Sequence, residues 1–262
     1  MFGAWRLESV IAVGGLGEVW RGRREGTTAA VKRLHTHLMR NDQVLAQFAT
    51  ERELATTLPR HRHLVHAIDA GDVDGRPFIA MELAPGEDLR KLLAPAPNPK
   101  GGTPAPVVLP RSRAIAIVVA ACEALAHLHE LGWVHGDVNP GNLVVDDADH
   151  VVLVDLGVAR AIGRGGEVRG THAYMAPEQV RGEPWTPATD VFALGVVLWE
   201  LIATQRLFHR GPPWLTMAAV VEAPAPALAD PALDAIARAA LDKDPTQRTG
   251  SAAQLRDALT AL

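Results

Sequence analysis

The sequence predicts an α+β fold, in which an antiparallel sheet with one long helix is followed by a mostly helical part. Three observations lead to this prediction. The first third alternates β-branched stretches with Gly-containing turns. One longer stretch within that third has apolar residues at helical spacing. Beyond Pro85 and Gly86 the apolar residues recur mainly with the helical period. We therefore assign residues 1–84 to the first part and residues 85–262 to the second.

The first part combines predicted strands with a single helix. The helix begins at Asn41 or Asp42, either of which can cap a first turn, and Pro59 ends it. The Asp-Gly pair at 74–75 predicts a tight hairpin between the last two strands. The predicted strands span residues 5–13, 17–23, 27–34, 64–72 and 77–83.

The second part is predicted to be built around one strongly apolar helix at residues 187–203, which we expect to be central and buried. A proline-rich stretch at 94–110 is expected to be a surface insertion and not a domain boundary. The other predicted helices span residues 88–93, 112–129, 231–241 and 251–262.

Composition excludes several classes of protein. The net charge of −4 has its acidic and basic residues interspersed, so a nucleic-acid partner is not expected. The single cysteine, Cys122, cannot form an internal disulfide, which favours a reducing, cytoplasmic location. The longest apolar run, residues 114–122, is too short to span a membrane, and no membrane segment is predicted.

Residues 135–157 gather the side chains best suited to bind a metal. Asp137 and Asn142 lie in the loop HGDVNPGN, and Asp155 follows a short apolar run typical of a buried strand. Carboxylate and amide oxygens are the ligands that Mg²⁺ prefers. The alternative for this stretch alone is an Asp/Asn-rich hairpin turn, in which these side chains bind their own backbone.

A second group lies in the first part. The glycine-rich stretch at 13–19 stands between two predicted strands, where its backbone can approach a phosphate closely. Lys32 follows on the next strand, at a distance along the chain that makes it a candidate to pair with phosphate. Its ion-pair partner is expected on the helix, where Glu51 and Glu53 compete.

These motifs resemble, in order and spacing, the signature set of protein kinases. MELAPG at 81–86, DLG at 155–157, GTHAYMAPEQ at 170–179, DVFALGVVLWEL at 190–201 and DPTQR at 244–248 extend the resemblance to the last helix. The whole chain is similar to the catalytic domain of eukaryotic-type (Hanks-type) bacterial Ser/Thr protein kinases. The resemblance implies a single domain with the bilobal protein-kinase-like fold, ATP with Mg²⁺ or Mn²⁺, a protein substrate and a monomeric state.

The resemblance also implies roles for single residues. Asp137 would accept or orient the proton of the substrate hydroxyl, next to Asn139 and Thr171. Asn142 and Asp155 would hold the metal ions. Glu178 would pair with Arg248, and Asp190 would brace the loop that carries Asp137. The residues implied to bind nucleotide are Val13, Gly14, Gly17, Val19, Ala30, Lys32 with Glu51, Met81 as gatekeeper, Glu82 and Ala84 through their backbone, Asp88 and Val144.

The chain departs from the family pattern at several positions that bear on its activity. Gly136 stands where many family members have an arginine that meets a phosphorylated activation loop, and Glu167 stands at a common phosphorylation position. We therefore expect an activation segment that works without phosphorylation. Asn139 stands where Ser/Thr kinases have a lysine, so the site lacks one positive charge. The alternatives are a nucleotide-binding pseudokinase scaffold and, because of HGD-x-x-x-x-N, a phosphotransferase acting on aminoglycosides or choline.

Overall fold

The computed structural model of the protein describes residues 1–94, 107–166, 168 and 170–262. Glu167 and most of the proline-rich stretch 94–110 lie outside these residues. The chain divides into two compact units. Unit 1 comprises Met1–Pro85 with Asp155–Gly157, and unit 2 comprises Gly86–Val154 with Val158–Leu262.

Unit 1 is an antiparallel sheet with one long helix, which confirms the prediction for this part of the chain. The sheet has the strand order β1-β2-β3-β5-β4, and the helix packs on β4 and β5. Its elements are β1 (Arg6–Val13), β2 (Gly17–Arg24), β3 (Thr27–Leu34), α1 (Asp42–Thr57), β4 (Ala67–Val73) and β5 (Arg76–Glu82).

The two faces of this sheet have different compositions because side chains alternate along each strand. One face carries an apolar cluster, which the N-terminal residues cover; its members are Phe2, Trp5, Ala29, Val31, Phe78 and Ala80. On β3 the intervening positions Ala30 and Lys32 point the other way. Ala30 is paired with Met81, and Lys32 with Val19 on one side and Ile79 on the other. Directly opposed residues share a face, so the cluster leaves the second face for Lys32 and its neighbours.

Helix α1 begins and ends where the sequence predicts. The Asn41 side chain accepts hydrogen bonds from the backbone N–H groups of Gln43 and Val44, and the helix stops before Pro59. Its buried side chains include Val44, Phe48 and Leu54. Glu51 is buried on this helix with them, which is unusual for a carboxylate without a cationic partner.

Unit 2 is mostly helical, as predicted, with three short strand pairings added. Two helices were not predicted: the short α4, and α6, where Pro213 occupies the first helical turn instead of breaking the helix. Its elements are β6 (Glu87–Asp88), α2 (Leu89–Leu92), α3 (Arg111–Glu130), β7 (Trp133–Val134), β8 (Leu143–Val145), β9 (Val151–Leu153), β10 (Arg160–Ala161), α4 (Pro177–Arg181), α5 (Pro187–Ala203), α6 (Pro213–Glu222), α7 (Pro231–Ala240) and α8 (Ala252–Thr260).

Helix α5 is the centre of unit 2, as its apolar sequence predicts. Every residue from position 188 to position 201 is buried, and α3, α7 and α8 pack around it. Gly195 is required at one of these contacts, because a Cβ there would lie 2.9 Å from the Cβ of Ala240.

Helix α3 has the length and apolar composition of a membrane span, the one such helix in the described part of the chain. A single helix of this kind is weak grounds for a membrane span, because core helices pass the same test. Its buried side chains, among them Ile117, Leu125 and Leu128, fit a core helix that packs against α5 and α8.

A buried ion pair joins two distant parts of unit 2, which confirms the predicted pairing of Glu178 with Arg248. The guanidinium donates to both carboxylate oxygens, at 2.7 and 3.0 Å. It also donates to the backbone carbonyls of Ala188 and Asp242, while Thr189 donates its hydroxyl to Glu178. The neighbouring groups therefore satisfy both charges where water is excluded.

We predict that Arg248→Met destabilises the protein by about 3–5 kcal/mol, because Glu178 is left as an unpaired buried charge. Denaturant unfolding measures the change. The double variant Arg248→Met with Glu178→Leu should recover part of the loss. Arg256→Met, which breaks a surface pair with Asp257, serves as the control and should stay within about 0.5 kcal/mol of wild type. The prediction would be contradicted if the double variant lost as much free energy of unfolding as the two single variants lose together.

Candidate active site

Lys32, Glu51 and Asp155 form a compact charged cluster in unit 1. The Lys32 Nζ lies 2.5 Å from Glu51 Oε1 and 2.6 Å from Asp155 Oδ1. Strand β3 supplies the lysine and helix α1 supplies the glutamate. Of the two glutamates that the sequence left open, Glu51 is therefore the one that contacts Lys32.

The cluster holds two carboxylates against one ammonium group, and its electrostatics follow from that imbalance. Burial acts against the charged lysine, but the carboxylates of Asp155 and Glu51 outweigh it and raise the pKa of Lys32. Burial is also the largest influence on Glu51; with the charge of Asp155 it raises the pKa of Glu51 to about 7, against the opposing effect of Lys32. Lys32 is thus held as a cation at neutral pH.

The turn that carries Asp155 is fitted closely to this cluster. Asp155 has a φ of +67°, a left-handed conformation that non-glycine residues rarely adopt and that concentrates at functional sites. Two residues later, a Cβ on Gly157 would lie 3.0 Å from Asp155 Oδ1 and 3.1 Å from Glu51 Oε2. A side chain at this position would therefore press on both carboxylates, which glycine avoids.

The glycine-rich stretch forms the tight turn between β1 and β2. The Gly14 N–H donates to the Gly17 carbonyl at 2.8 Å, and the ring of His35 donates to the Gly14 carbonyl at 2.9 Å. A Cβ on Gly17 would lie 2.3 Å from the Arg33 carbonyl oxygen, so strand packing requires this glycine. The tip is open, and Val13 is exposed.

Other predicted nucleotide-binding residues of unit 1 lie around the same sheet face. Val19, Ala30 and Met81 share the face of Lys32, as their strand pairing shows. The Glu82 N–H donates to the His66 carbonyl at 2.9 Å. Ala84 follows β5 and is partly buried.

Asp137 lies in unit 2, where backbone and side-chain groups hold both of its oxygens. The backbone N–H of Thr171 donates to Oδ1 at 2.8 Å, and Asn142 Nδ2 donates to Oδ2 at 3.1 Å. The contact from Thr171 is thus made by its amide. Gly170 is fitted against the carboxylate, because a Cβ there would lie 3.0 Å from Oδ1.

Asn139 folds back onto its own loop. Its Oδ1 accepts from the Gly141 N–H at 2.8 Å and caps the short 3-10 helix Pro140–Asn142. Its Nδ2 donates to the Asp137 carbonyl at 3.0 Å. The side chain is buried, so in this structure it braces the loop that carries Asp137.

Asp190 on helix α5 fixes the backbone that precedes Asp137. Its Oδ1 accepts from the Gly136 N–H, and its Oδ2 accepts from the His135 N–H, each at 2.8 Å. The His129 ring lies 2.9 Å from Oδ2. The predicted bracing by Asp190 is confirmed. A further contact was not predicted from the sequence: Gln179 Nε2 donates to the Gly136 carbonyl at 2.8 Å.

Asp88 and Val144, also predicted to bind nucleotide, are neighbours in unit 2 because β6 pairs with β8. The Asp88 carboxylate caps helix α2 by accepting from the Lys91 N–H at 3.0 Å. It also lies 3.1 Å from the Lys91 ammonium. Its two oxygens therefore already have local partners.

The donor chemistry fits a hard divalent metal. The Asn142 side chain donates from Nδ2 to the Asp137 carbonyl at 2.8 Å and to Asp137 Oδ2 at 3.1 Å. The amide oxygen is thereby turned away from Asp137, and it is the atom suited to bind a cation. The backbone of Asn142 is fixed by the Val154 N–H, which donates to its carbonyl. In unit 1, Asp155 by itself presents a partly exposed carboxylate, a ligand of the same chemical kind. In the described residues no cluster of three His, Cys, Asp or Glu side chains offers another metal site.

We predict that the stability contributed by Asp190 depends on pH. Burial acts to raise its pKa, but hydrogen bonds and charge from His129, with the Gly136 N–H, outweigh burial and lower it. A lowered pKa gives stability that is present above the ordinary value and is lost as pH falls through the lower one. Asp190→Asn should therefore cost about 2–3 kcal/mol at neutral pH.

Melting temperatures of wild type and Asp190→Asn measure this dependence. The gap between them should shrink as pH falls below about 4, because the Asp190 carboxyl is protonated first in the unfolded chain and only at a still lower pH in the folded protein. Asp147→Asn, at an exposed turn position, is the control and should follow wild type throughout. A gap that stays constant or widens in acid would refute the prediction.

Comparison with known proteins agrees with these clusters. A family model described as "Protein kinase domain" matches residues 5–259. Serine/threonine-protein kinase PknB of Mycolicibacterium smegmatis is 33% identical over 96% of this chain and 42% of its own length. Serine/threonine-protein kinase pkn3 of Myxococcus xanthus is 30% identical over 98% of this chain and 50% of its own length.

Serine/threonine-protein kinase PknA of Mycobacterium tuberculosis is 32% identical over 99% of this chain and 61% of its own length. The chain thus spans about half the length of these curated relatives. The match over residues 5–259 and the identities of 30% or more lead to one conclusion. The chain belongs to the protein kinase domain family.

Proposed function

We propose that this chain transfers the γ-phosphoryl group of ATP, with Mg²⁺, to Ser or Thr hydroxyls of protein substrates. The observation that carries the proposal is Lys32, buried and held as a cation between Glu51 and Asp155. Members of the protein kinase family use ATP with a divalent metal and place such a lysine on the nucleotide phosphates. The names of the relatives point to the same activity.

Phosphoryl transfer requires positioning and neutralisation of charge more than covalent chemistry. Lys32 would bind the α- and β-phosphates, with Glu51 fixing its orientation. Asp155 and Asn142 each offer an oxygen to the divalent metal, which when bound neutralises phosphate charge. Asp137 would receive the proton of the acceptor hydroxyl, in a position fixed by the Thr171 amide and Asn142.

Transfer of labelled γ-phosphate to a general protein substrate tests the proposal. Lys32→Met should lower kcat by roughly 100-fold or more, because a preorganised cation is lost. Asp137→Asn should lower kcat by roughly 100- to 10,000-fold, because an amide cannot take the proton. Arg52→Met and Asp147→Asn, which change charges in the same two regions, are matched controls and should keep wild-type rates.

Wild-type transfer no faster than that of these two variants, with nucleotide still bound, would favour the pseudokinase scaffold. Label on aminoglycosides or choline, with none on protein, would favour the small-molecule phosphotransferase. The pseudokinase scaffold stays a second candidate because of Asn139. This residue stands where Ser/Thr kinases have a lysine, so the site has one positive charge fewer.

We also propose that Asn139 positions Asp137, and that phosphoryl transfer does not require a lysine at position 139. We predict that Asn139→Lys lowers kcat by roughly tenfold or more, because Gly141 loses its acceptor and the Asp137 carbonyl loses its amide donor. The KM for ATP should change little. Steady-state kinetics measure both values. A raised kcat would instead show that the missing charge limits the reaction.

We further propose that the activation segment works without phosphorylation, because Gly136 offers no guanidinium to a phosphate. We predict that treatment with a protein phosphatase leaves kcat within about twofold of the untreated protein. Mass spectrometry must establish that residues 155–178 carry no phosphate after treatment. Loss of most activity together with loss of phosphate from this segment would overturn the proposal.

A further inference from the structure

Gly136, the residue before Asp137, is enclosed on three sides in unit 2. Its N–H is held by Asp190 and its carbonyl by Gln179. On the third side, a Cβ at this position would lie 2.4 Å from a ring atom of Trp185. The backbone also has a φ of +75° here, which favours glycine. The indole of Trp185 thus fills the space that any side chain at position 136 would enter.

Trp185 is completely buried at this position. Its backbone N–H donates to the Arg164 carbonyl at 3.3 Å, and its carbonyl accepts from the Gly163 N–H at 2.8 Å. Its indole N–H has no hydrogen-bond acceptor among the residues that the structure describes. Packing therefore holds the ring in place, and hydrogen bonds of its backbone tie the segment around 163–164 to it.

Arg160 covers Trp185. Its guanidinium carbon lies 4.7 Å from the centroid of the indole ring, within the range of a cation–π contact. Its Nη1 donates to the Gly165 carbonyl at 3.1 Å. A Cβ on Gly166 would lie 1.5 Å from the same Nη1, so the guanidinium is enclosed between the ring and the backbone of 165–166.

The same arginine begins β10, which pairs with β7 directly before the loop of Asp137. Arg160 is opposite Val134 in this pairing, and the Ile162 N–H donates to the Gly132 carbonyl at 2.9 Å. The start of the activation segment is therefore attached to the catalytic loop twice, once through β7 and once through Trp185.

The geometry points to Arg160 and Trp185 as positioning residues, which together hold residues 160–166 against the loop of Asp137 without a phosphate group. The inference rests on the proposed kinase function and gives its activation segment a specific intrachain clamp. The arginine that meets the loop comes from the segment itself, and it binds an aromatic ring and a carbonyl in place of a phosphate. Gly136 is then necessary, since its lack of a side chain admits Trp185.

Hydrogen–deuterium exchange and steady-state kinetics on phosphatase-treated protein test the clamp. Arg160→Ala should increase the exchange rate of residues 160–166 by roughly tenfold and lower kcat by a similar factor. The KM for ATP and the melting temperature should remain close to wild type, because the sheet of unit 1 and helix α5 are untouched. Arg160→Lys keeps a cation over the ring and should recover part of kcat. Arg164→Ala removes the same charge from the same segment and should behave as wild type.

A second pair of variants tests the packing of Trp185 against Gly136. Removal of Trp185 alone would leave a large cavity, so the pair begins with a change at position 136. Gly136→Arg should lower kcat and the melting temperature, because the new side chain meets the indole. Adding Trp185→Val to Gly136→Arg should restore part of the lost melting temperature, since valine leaves room for the arginine while the positive φ of position 136 still strains it. A single variant that behaves as wild type, or a double variant no better than the single one, would overturn the fit.

The two readouts separate failure of the clamp from failure of the proposed function. Faster exchange in Arg160→Ala supports the clamp even if wild-type protein transfers no phosphate, in which case the kinase proposal fails alone. Measurable wild-type transfer with exchange and kcat unchanged in Arg160→Ala would overturn the clamp and leave the kinase proposal standing.

Discussion

The buried carboxylate of Asp190 is the interaction on which the loop of Asp137 depends. It accepts hydrogen bonds from two successive backbone N–H groups, those of His135 and Gly136, and so fixes the chain immediately before Asp137. A charge can stay buried here because each oxygen has donors and because the His129 ring lies against it. Helix α5 supplies this carboxylate from the centre of unit 2, so the buried core of the unit sets the position of Asp137.

Further contacts extend this support outwards, and each uses ordinary packing or hydrogen bonding. Gln179 holds the Gly136 carbonyl, Trp185 packs on its Cα, and Asn139 braces the Asp137 carbonyl. Within this loop, then, the positions that depart from the kinase pattern have local partners that fit them. In unit 1 the buried side chain is a lysine. The carboxylates of Asp155 and Glu51, both next to its ammonium group, keep Lys32 charged.

The sequence predicts the strands, the main helices and the order of the charged motifs, because these depend on periodicity and short spacings. It leaves Glu51 and Glu53 open because both lie on one helix, and only the position of β3 shows which of them reaches Lys32. It does not predict the inward turn of Asn139, since that depends on which backbone groups the folded loop presents. Nor does it predict the packing of Trp185 on Gly136, which joins residues far apart in the chain. Helix α6 was missed because two prolines suggest a break, whereas Pro213 fits a first helical turn.

The most direct measurement is identification of the acceptor atom by mass spectrometry, after phosphatase-treated wild-type protein has been incubated with Mg²⁺, ATP and a general protein substrate. The proposed kinase activity predicts new phosphoserine or phosphothreonine in the substrate, formed at a rate well above that of Asp137→Asn. Bound nucleotide with no phosphate on any protein hydroxyl would contradict it, as would phosphate found only on a small-molecule alcohol.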